Sequence, residues 1–260
     1  MTSDISTVIP DRRDWATAFK ALRRLLADAN DTQQVFRIMR ALNAGTAKAG
    51  YLRLLRTADG GRIAYERVEL AERFSDPAFV AQFGEGTVGA AYAEFLRATG
   101  YSANGLAEVS QIDGVALNVR HPYLWYGRRM RDTHDIWHIL TGYRADEPLG
   151  ELCLVAFSYA QTRGLGWAFI ALGGALKSLR VPGGKLVRRA IREGYRRGKN
   201  AAWLPGEDYE RLLAEPLDAA RARLNIPEPT AYRAARESVG RAAVRADGTL
   251  PVSFPPITFS

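Results

Sequence analysis

The stretch from Leu152 to Leu176 constrains this chain most. It is the apolar segment nearest to membrane-spanning length, yet Ser158, Gln161, Thr162, Arg163, Gly164 and Gly166 interrupt it. A bilayer span needs roughly 20 mostly apolar residues in a row. Two buried helices joined at Thr162-Arg163-Gly164 fit the pattern better. The chain then reads as soluble or membrane-peripheral, with these two helices in its core.

Helical spacing recurs nearly everywhere else. Trp15, Phe19, Leu22 and Leu26 follow Asp11, a candidate cap, and Val35, Phe36, Met39 and Leu42 follow Asp31-Thr32. Ser75-Asp76-Pro77 and Gly86-Thr87 each read as a helix start. Pro122 opens a long helix ending near Gly142, and a basic helix over 185–200 follows Pro182-Gly183-Gly184. The best strand signal, Arg62-Ile63-Ala64-Tyr65, is weak. The expected fold is all-α: an arm over 1–10, one helical domain over 11–240, and a proline-containing extended tail over 241–260. No repeat or linker divides the chain.

Its 260 residues suffice for a large core without covalent staples. Cys153 is the only cysteine, which excludes an internal disulfide. Its leucine neighbours suggest a buried, structural thiol, and the simplest compartment is a reducing cytosol. The amino terminus shows no secretory pattern. A net charge of +8 favours acidic partners, although an arginine-rich solvated surface explains it as well. Arg188, Arg189, Arg192, Arg196, Arg197 and Lys199 spread around the axis of the basic helix and read as such a surface. No motif for nucleic-acid recognition accompanies them.

The chemistry concentrates in Arg131-Asp132-Thr133-His134-Asp135-Ile136-Trp137-His138. Residues four apart lie nearly above one another on a helix, so His134 and His138 can reach one ion. Asp135 is close enough around the axis to add an oxygen, and Glu151 supplies a second carboxylate from the next apolar segment. Two imidazoles and two carboxylates suit a divalent transition metal: zinc, iron or manganese. A zincin would carry glutamate where Asp135 stands, so the hydrolase reading loses ground. Arg131, three residues before His134, could hold a substrate carboxylate. A structural pairing with Asp132, Asp135 or Glu151 explains it equally. His121 reads as a helix-start residue. Ser158 and Gln161 share the Glu151 face and could line an oily channel to the metal, although core packing explains them too.

These residues resemble the signature of the coenzyme Q biosynthesis protein four family: His-Asp-x-x-His, a spacer, then Glu. The resemblance continues through Asp31-Thr32-Gln33-Gln34-Val35-Phe36, Gly86-Thr87-Val88-Gly89, Ala160-Gln161 and the stretch from Arg192 to Gly198. It ends near Leu224-Asn225-Ile226-Pro227. Twelve residues separate His138 from Glu151, where the family usually has eleven. The extra residue falls in the turn from Arg144 to Pro148. If that turn cannot absorb it, Glu147 becomes the substitute ligand. At Asp208-Tyr209-Glu210 the family tends to show a Trp-Glu pair.

The resemblance implies an all-helical homodimer that binds polyprenylated quinone precursors and works with other ubiquinone-biosynthesis enzymes, in peripheral contact with the inner face of the membrane. It implies metal-dependent removal of the ring carboxylate at C1, with oxygenation at that carbon. The alternatives are a noncatalytic lipid-binding scaffold, or a paralogue acting on another isoprenoid.

Overall fold

The computed structural model describes residues 12–29, 31–100 and 121–247. The arm over 1–10, the cap assigned to Asp11 and the tail beyond Asp247 lie outside them. Among the described residues there is no strand, only a single bridge between Thr87 and Pro216. The all-α class holds. The segment 62–65, expected as the best strand, lies inside a helix, Gly60–Glu66. Ile63 and Ala64 are both buried there, a placement that adjacent residues of a half-buried strand could not share.

Among the described residues, seven helices precede residue 100: α1 (Trp15–Ala27), α2 (Thr32–Leu42), α3 (Thr46–Leu54), α4 (Gly60–Glu66), α5 (Leu70–Phe74), α6 (Pro77–Ala81) and α7 (Val88–Thr99). Local chemistry sets their starts. The Asp14 carboxylate accepts from Thr17 N–H at 3.0 Å, so the cap lies three residues beyond Asp11. Asp76 accepts from Ala78 N–H with Pro77 in the first turn, and Thr87 Oγ1 accepts from Ala90 N–H. In α1 the buried face is Ala18, Ala21, Leu22 and Leu25, while Trp15 and Phe19 are exposed.

After residue 120 come α8 (Pro122–Asp132), α9 (His134–Thr141), α10 (Pro148–Thr162), α11 (Leu165–Lys177), α12 (Gly184–Asn200), α13 (Tyr209–Ala214), α14 (Leu217–Arg223) and α15 (Thr230–Asp247). The apolar stretch is indeed two helices, α10 and α11, with Arg163 at φ 59° capping the first. The single long helix expected from Pro122 is broken at Thr133, whose ψ of −2° interrupts the α geometry. The last helix runs to Asp247, into the stretch assigned to the tail.

Helix α10 is the pillar of the main core. Cys153, Leu154 and Phe157 are fully buried, and burying each of the larger two is worth about 1.5–3 kcal/mol. Helix α12 crosses it at the closest possible range. A Cβ on Gly194 would lie 2.5 Å from the Cys153 carbonyl oxygen, and one on Gly198 would lie 2.5 Å from that of Phe157. Two glycines four apart therefore set the contact. Helices α1 and α2 pack on the far side of α11, and α3, α4 and α8 form a smaller cluster around Trp125 and Tyr126.

Candidate metal centre

The break at Thr133 makes His134 the first residue of α9 and leaves His138 one turn above it. Ile136, Trp137 and Leu140 anchor the helix in the core, as their spacing predicts. Gly142, at φ 74°, ends α9 in the left-handed conformation and turns the chain back. The next residue, Tyr143, thereby places its carbonyl 2.9 Å from His138 Nδ1. A carbonyl only accepts, so Nδ1 carries the proton and Nε2 presents a lone pair.

That lone pair meets a carboxylate. His138 Nε2 lies 3.1 Å from Glu151 Oε1, and His134 Nε2 lies 3.8 Å from Glu151 Oε2. Candidate donor atoms of His134, His138 and Glu151 all fall within 4.8 Å of one another. His138 Nε2 is buried without a hydrogen-bond partner. A lone pair facing an anion in a buried site is repulsive unless a proton or a cation stands between them. Two imidazole nitrogens and a carboxylate are the donors a divalent transition metal takes, so the residues fit such an ion.

Asp135 does not join the three. Its carboxylate lies 3.4 Å from His134 Nδ1, where it can orient that ring. Burial opposes protonation of His134, but the Asp135 contact and the Glu151 charge outweigh it and raise its pKa. Glu151 is moved the other way. Burial raises it, and the positive charge that His138 and His134 carry when protonated outweighs burial, leaving its pKa below the ordinary carboxylate value.

The longer spacer is absorbed. Gly150 packs under the turn, where a Cβ would sit 2.0 Å from the Arg144 carbonyl oxygen. Glu147 is held by Tyr232 Oη and by Arg236 Nε, away from the imidazoles, so Glu151 keeps its place.

The other nominated residues have different engagements. Arg131 Nε donates to Asp132 Oδ1 at 2.7 Å, and Asp132 also accepts from Ala71 N–H. Because the helix breaks between Arg131 and His134, their spacing no longer guarantees a shared face. Gln161 Nε2 donates to the Gly198 and Ala202 carbonyls, while its oxygen accepts from Leu204 N–H. That amide ties α10 to the end of α12. Ser158 is buried in the same helix. His121 caps α8, its Nδ1 accepting from Tyr123 N–H. Cys153 is fully buried and its thiol is pushed up by burial, as expected of a structural residue.

Several supporting residues carried no local signal. Trp167 of α11 stacks on the His134 ring at 6.5 Å, and Phe95 of α7 stacks on His138 at 6.3 Å. Arg197, read as part of a solvated face, is buried. It donates to the Thr141 and Pro227 carbonyls and lies over the Tyr143 ring. Arg221 donates to the Ile139 and Leu140 carbonyls. Two arginines thus hold the carboxyl end of the histidine helix, where a cation opposes the helix dipole.

Residues 16–230 match the family model described as coenzyme Q (ubiquinone) biosynthesis protein Coq4. The chain belongs to that family. Among curated Coq4 relatives, the "Ubiquinone biosynthesis protein COQ4 homolog, mitochondrial" of Danio rerio is 30% identical over 180 residues. The aligned part covers 68% of this chain and 63% of that protein. The mitochondrial COQ4 of Eremothecium gossypii is 30% identical over 192 residues, covering 71% of this chain and 55% of that protein. The chain thus spans less than two thirds of the length of these relatives. A crystal structure of a putative ubiquinone biosynthesis protein from Nostoc punctiforme superposes with a TM-score of 0.59 at 23% identity. It covers 83% of this chain and all of that one, and so shows that the two share a fold. No helix among the described residues is long and apolar enough to cross a membrane.

Proposed function

We propose that this Coq4 protein binds a polyprenylated hydroxybenzoate-type intermediate and promotes loss of the carboxylate at ring C1, using a divalent metal held by His134, His138 and Glu151. The observation that carries this is the buried, unpartnered His138 Nε2 opposite the Glu151 carboxylate. When bound, the metal would act as a Lewis acid on a substrate oxygen and stabilise negative charge as the carbon-carbon bond breaks.

The protein's own part is positioning. Tyr143 holds the His138 tautomer, Asp135 orients His134, and Arg197 with Arg221 fix the end of α9. Trp167 and Phe95 flank the two imidazoles. In this reading Asp135 supports a ligand instead of being one. Two histidines and one carboxylate occur both in catalytic zinc sites and in the facial triad of non-haem iron oxygenases, so the same donors would also suit a reaction in which dioxygen supplies a hydroxyl to C1 as carbon dioxide leaves, with two electrons from an external reductant and the second oxygen atom released as water.

The test compares wild type with His134→Ala and His138→Ala. Metal content by mass spectrometry and turnover of a prenylated hydroxybenzoate, with oxygen and without, are expected to fall together. One observation favours a scaffold instead: Arg131 and Gln161, nominated for substrate, are engaged with Asp132 and backbone carbonyls. If the histidine variants lose metal yet still sustain ubiquinone synthesis in cells, the scaffold reading replaces the enzymatic one.

A further inference from the structure

The chain between His138 and Glu151 is held along its length by the head of α15. Gly142 faces Pro229, whose Cγ would lie 3.6 Å from a Cβ placed on the glycine. The Tyr143 ring meets the Tyr232 ring edge-on, with centroids 5.1 Å apart. Arg144 N–H donates to Tyr232 Oη at 3.1 Å, and that hydroxyl in turn donates to Glu147 Oε1. Arg236 Nε donates to the other oxygen of the same carboxylate at 2.9 Å. Tyr232 is buried, which strengthens the bonds its hydroxyl makes.

The turn matters because Glu147 starts the helix that carries Glu151. Glu147 is the cap residue of α10, and its carbonyl accepts from Glu151 N–H one turn later at 3.3 Å. Each residue of an α-helix rotates the side-chain direction by about 100°. A slip of one residue at Glu147 would therefore swing Glu151 away from His138 Nε2. The other end of the turn supplies the Tyr143 carbonyl that fixes the His138 ring. One side chain, Tyr232, thus touches both approaches to the candidate metal ligands. Helix α15 is itself fixed: the Glu193 carboxylate on α12 accepts from Thr230 Oγ1, Ala231 N–H and Tyr232 N–H. A carboxylate at that end also suits the helix dipole. Gly194, next to Glu193, meets α10 at backbone contact, so the path closes on the helix that bears Glu151.

We infer that Tyr232 is a positioning residue for Glu151: through its hydroxyl, α15 locks the turn that sets Glu151 opposite His138. The residues matched to the Coq4 model end at 230, so Tyr232 and Arg236 lie beyond the matched part. The consequence for metal rests on the proposed function, whereas the locking of the turn does not.

The experiment measures two properties of the full chain: zinc affinity by chelator competition, and amide exchange of residues 144–151 in metal-free protein. Tyr232→Phe keeps the ring on Tyr143 and removes the hydroxyl. It is expected to speed exchange in the turn and to weaken zinc binding about tenfold to a hundredfold, the range for losing a group that orients a ligand. Glu147→Leu should do the same, whereas Glu147→Gln, which still accepts from the hydroxyl, should stay near wild type. Thr57→Val, which loses one remote hydrogen bond to the Leu54 carbonyl, should leave both properties unchanged. When wild type binds zinc, unchanged affinity in Tyr232→Phe overturns the inference. Equal losses in Thr57→Val overturn it too, because they mark a general loss of stability. If wild type binds no zinc and the turn still exchanges faster in Tyr232→Phe, the metal reading fails and the lock stands.

Discussion

His138 shows how one backbone carbonyl can prepare a candidate metal ligand. With Nδ1 committed to Tyr143, the ring has no way to turn its lone pair from Glu151. His138→Ala should therefore lose the metal, whereas Glu147→Gln, at the engaged alternative carboxylate, should retain it; elemental analysis of the purified variants decides. Protons compete for the same atoms. The raised pKa of His134 means its charged pairing with Asp135 and Glu151 is present below the unfolded value of 6.5 and is lost as pH rises through the higher folded value. The lowered pKa of Glu151 means its contribution is present above 4.5 and is lost as pH falls through the depressed folded value. Metal-free protein should therefore melt lower at pH 8.5 than at pH 6, and added metal should remove most of that difference. A melting temperature of the metal-free form that rises between those pH values would contradict the assignment. The histidine pair and Glu151 were legible because their spacing is local to two helices. The loss of Asp135 from the ligand group was not. Its position around the axis permits a ligand, and only the packed geometry shows its carboxylate against His134 Nδ1.

Element boundaries followed from local chemistry wherever a cap or proline wrote them: Asp76-Pro77, Thr87 and Gly142 all mark ends as expected. The break at Thr133 has no proline or glycine to announce it, so α8 and α9 read as one helix. Close helix approach depends on the absence of a side chain. Gly198→Ala would drive a Cβ into the Phe157 carbonyl and should cost about 1–3 kcal/mol by urea unfolding. Gly150→Ala strains the turn beneath Glu151, so metal retention should fall more steeply than overall stability. The basic helix conceals a different role. Replacing buried Arg197 by methionine leaves the Thr141 and Pro227 carbonyls unpaired and should cost about 2–4 kcal/mol, measured in the same way.

Across the whole molecule, the two apolar helices do different work. Helix α10 supplies Glu151 and the core, while α11 has one side on α1 and α2 and another exposed. The spacing of Trp15, Phe19, Leu22 and Leu26 marks a helix but cannot say which of these face inward. In the fold only Leu22 is fully in the core, and the aromatic pair is left outside. At this scale the family resemblance is confirmed by the match over 16–230, and the departure at Tyr209 acquires a physical account. The Tyr209 hydroxyl receives the Trp137 indole N–H and donates to the Leu204 carbonyl, so this aromatic ring braces the histidine helix from behind.

Periodicity, caps and turn residues act over a few residues, and they sufficed to determine the all-α class, most helix ends and the pairing of His134 with His138. Tertiary structure alone decided that the longer spacer still brings Glu151 to the imidazoles, that Arg197 and Arg221 hold the end of α9, that Trp167 and Phe95 flank the site, and that Trp15 and Phe19 face outward. Each of those outcomes depends on elements distant in sequence meeting at backbone contact, and side-chain spacing within one helix carries no record of what another helix will bring to it.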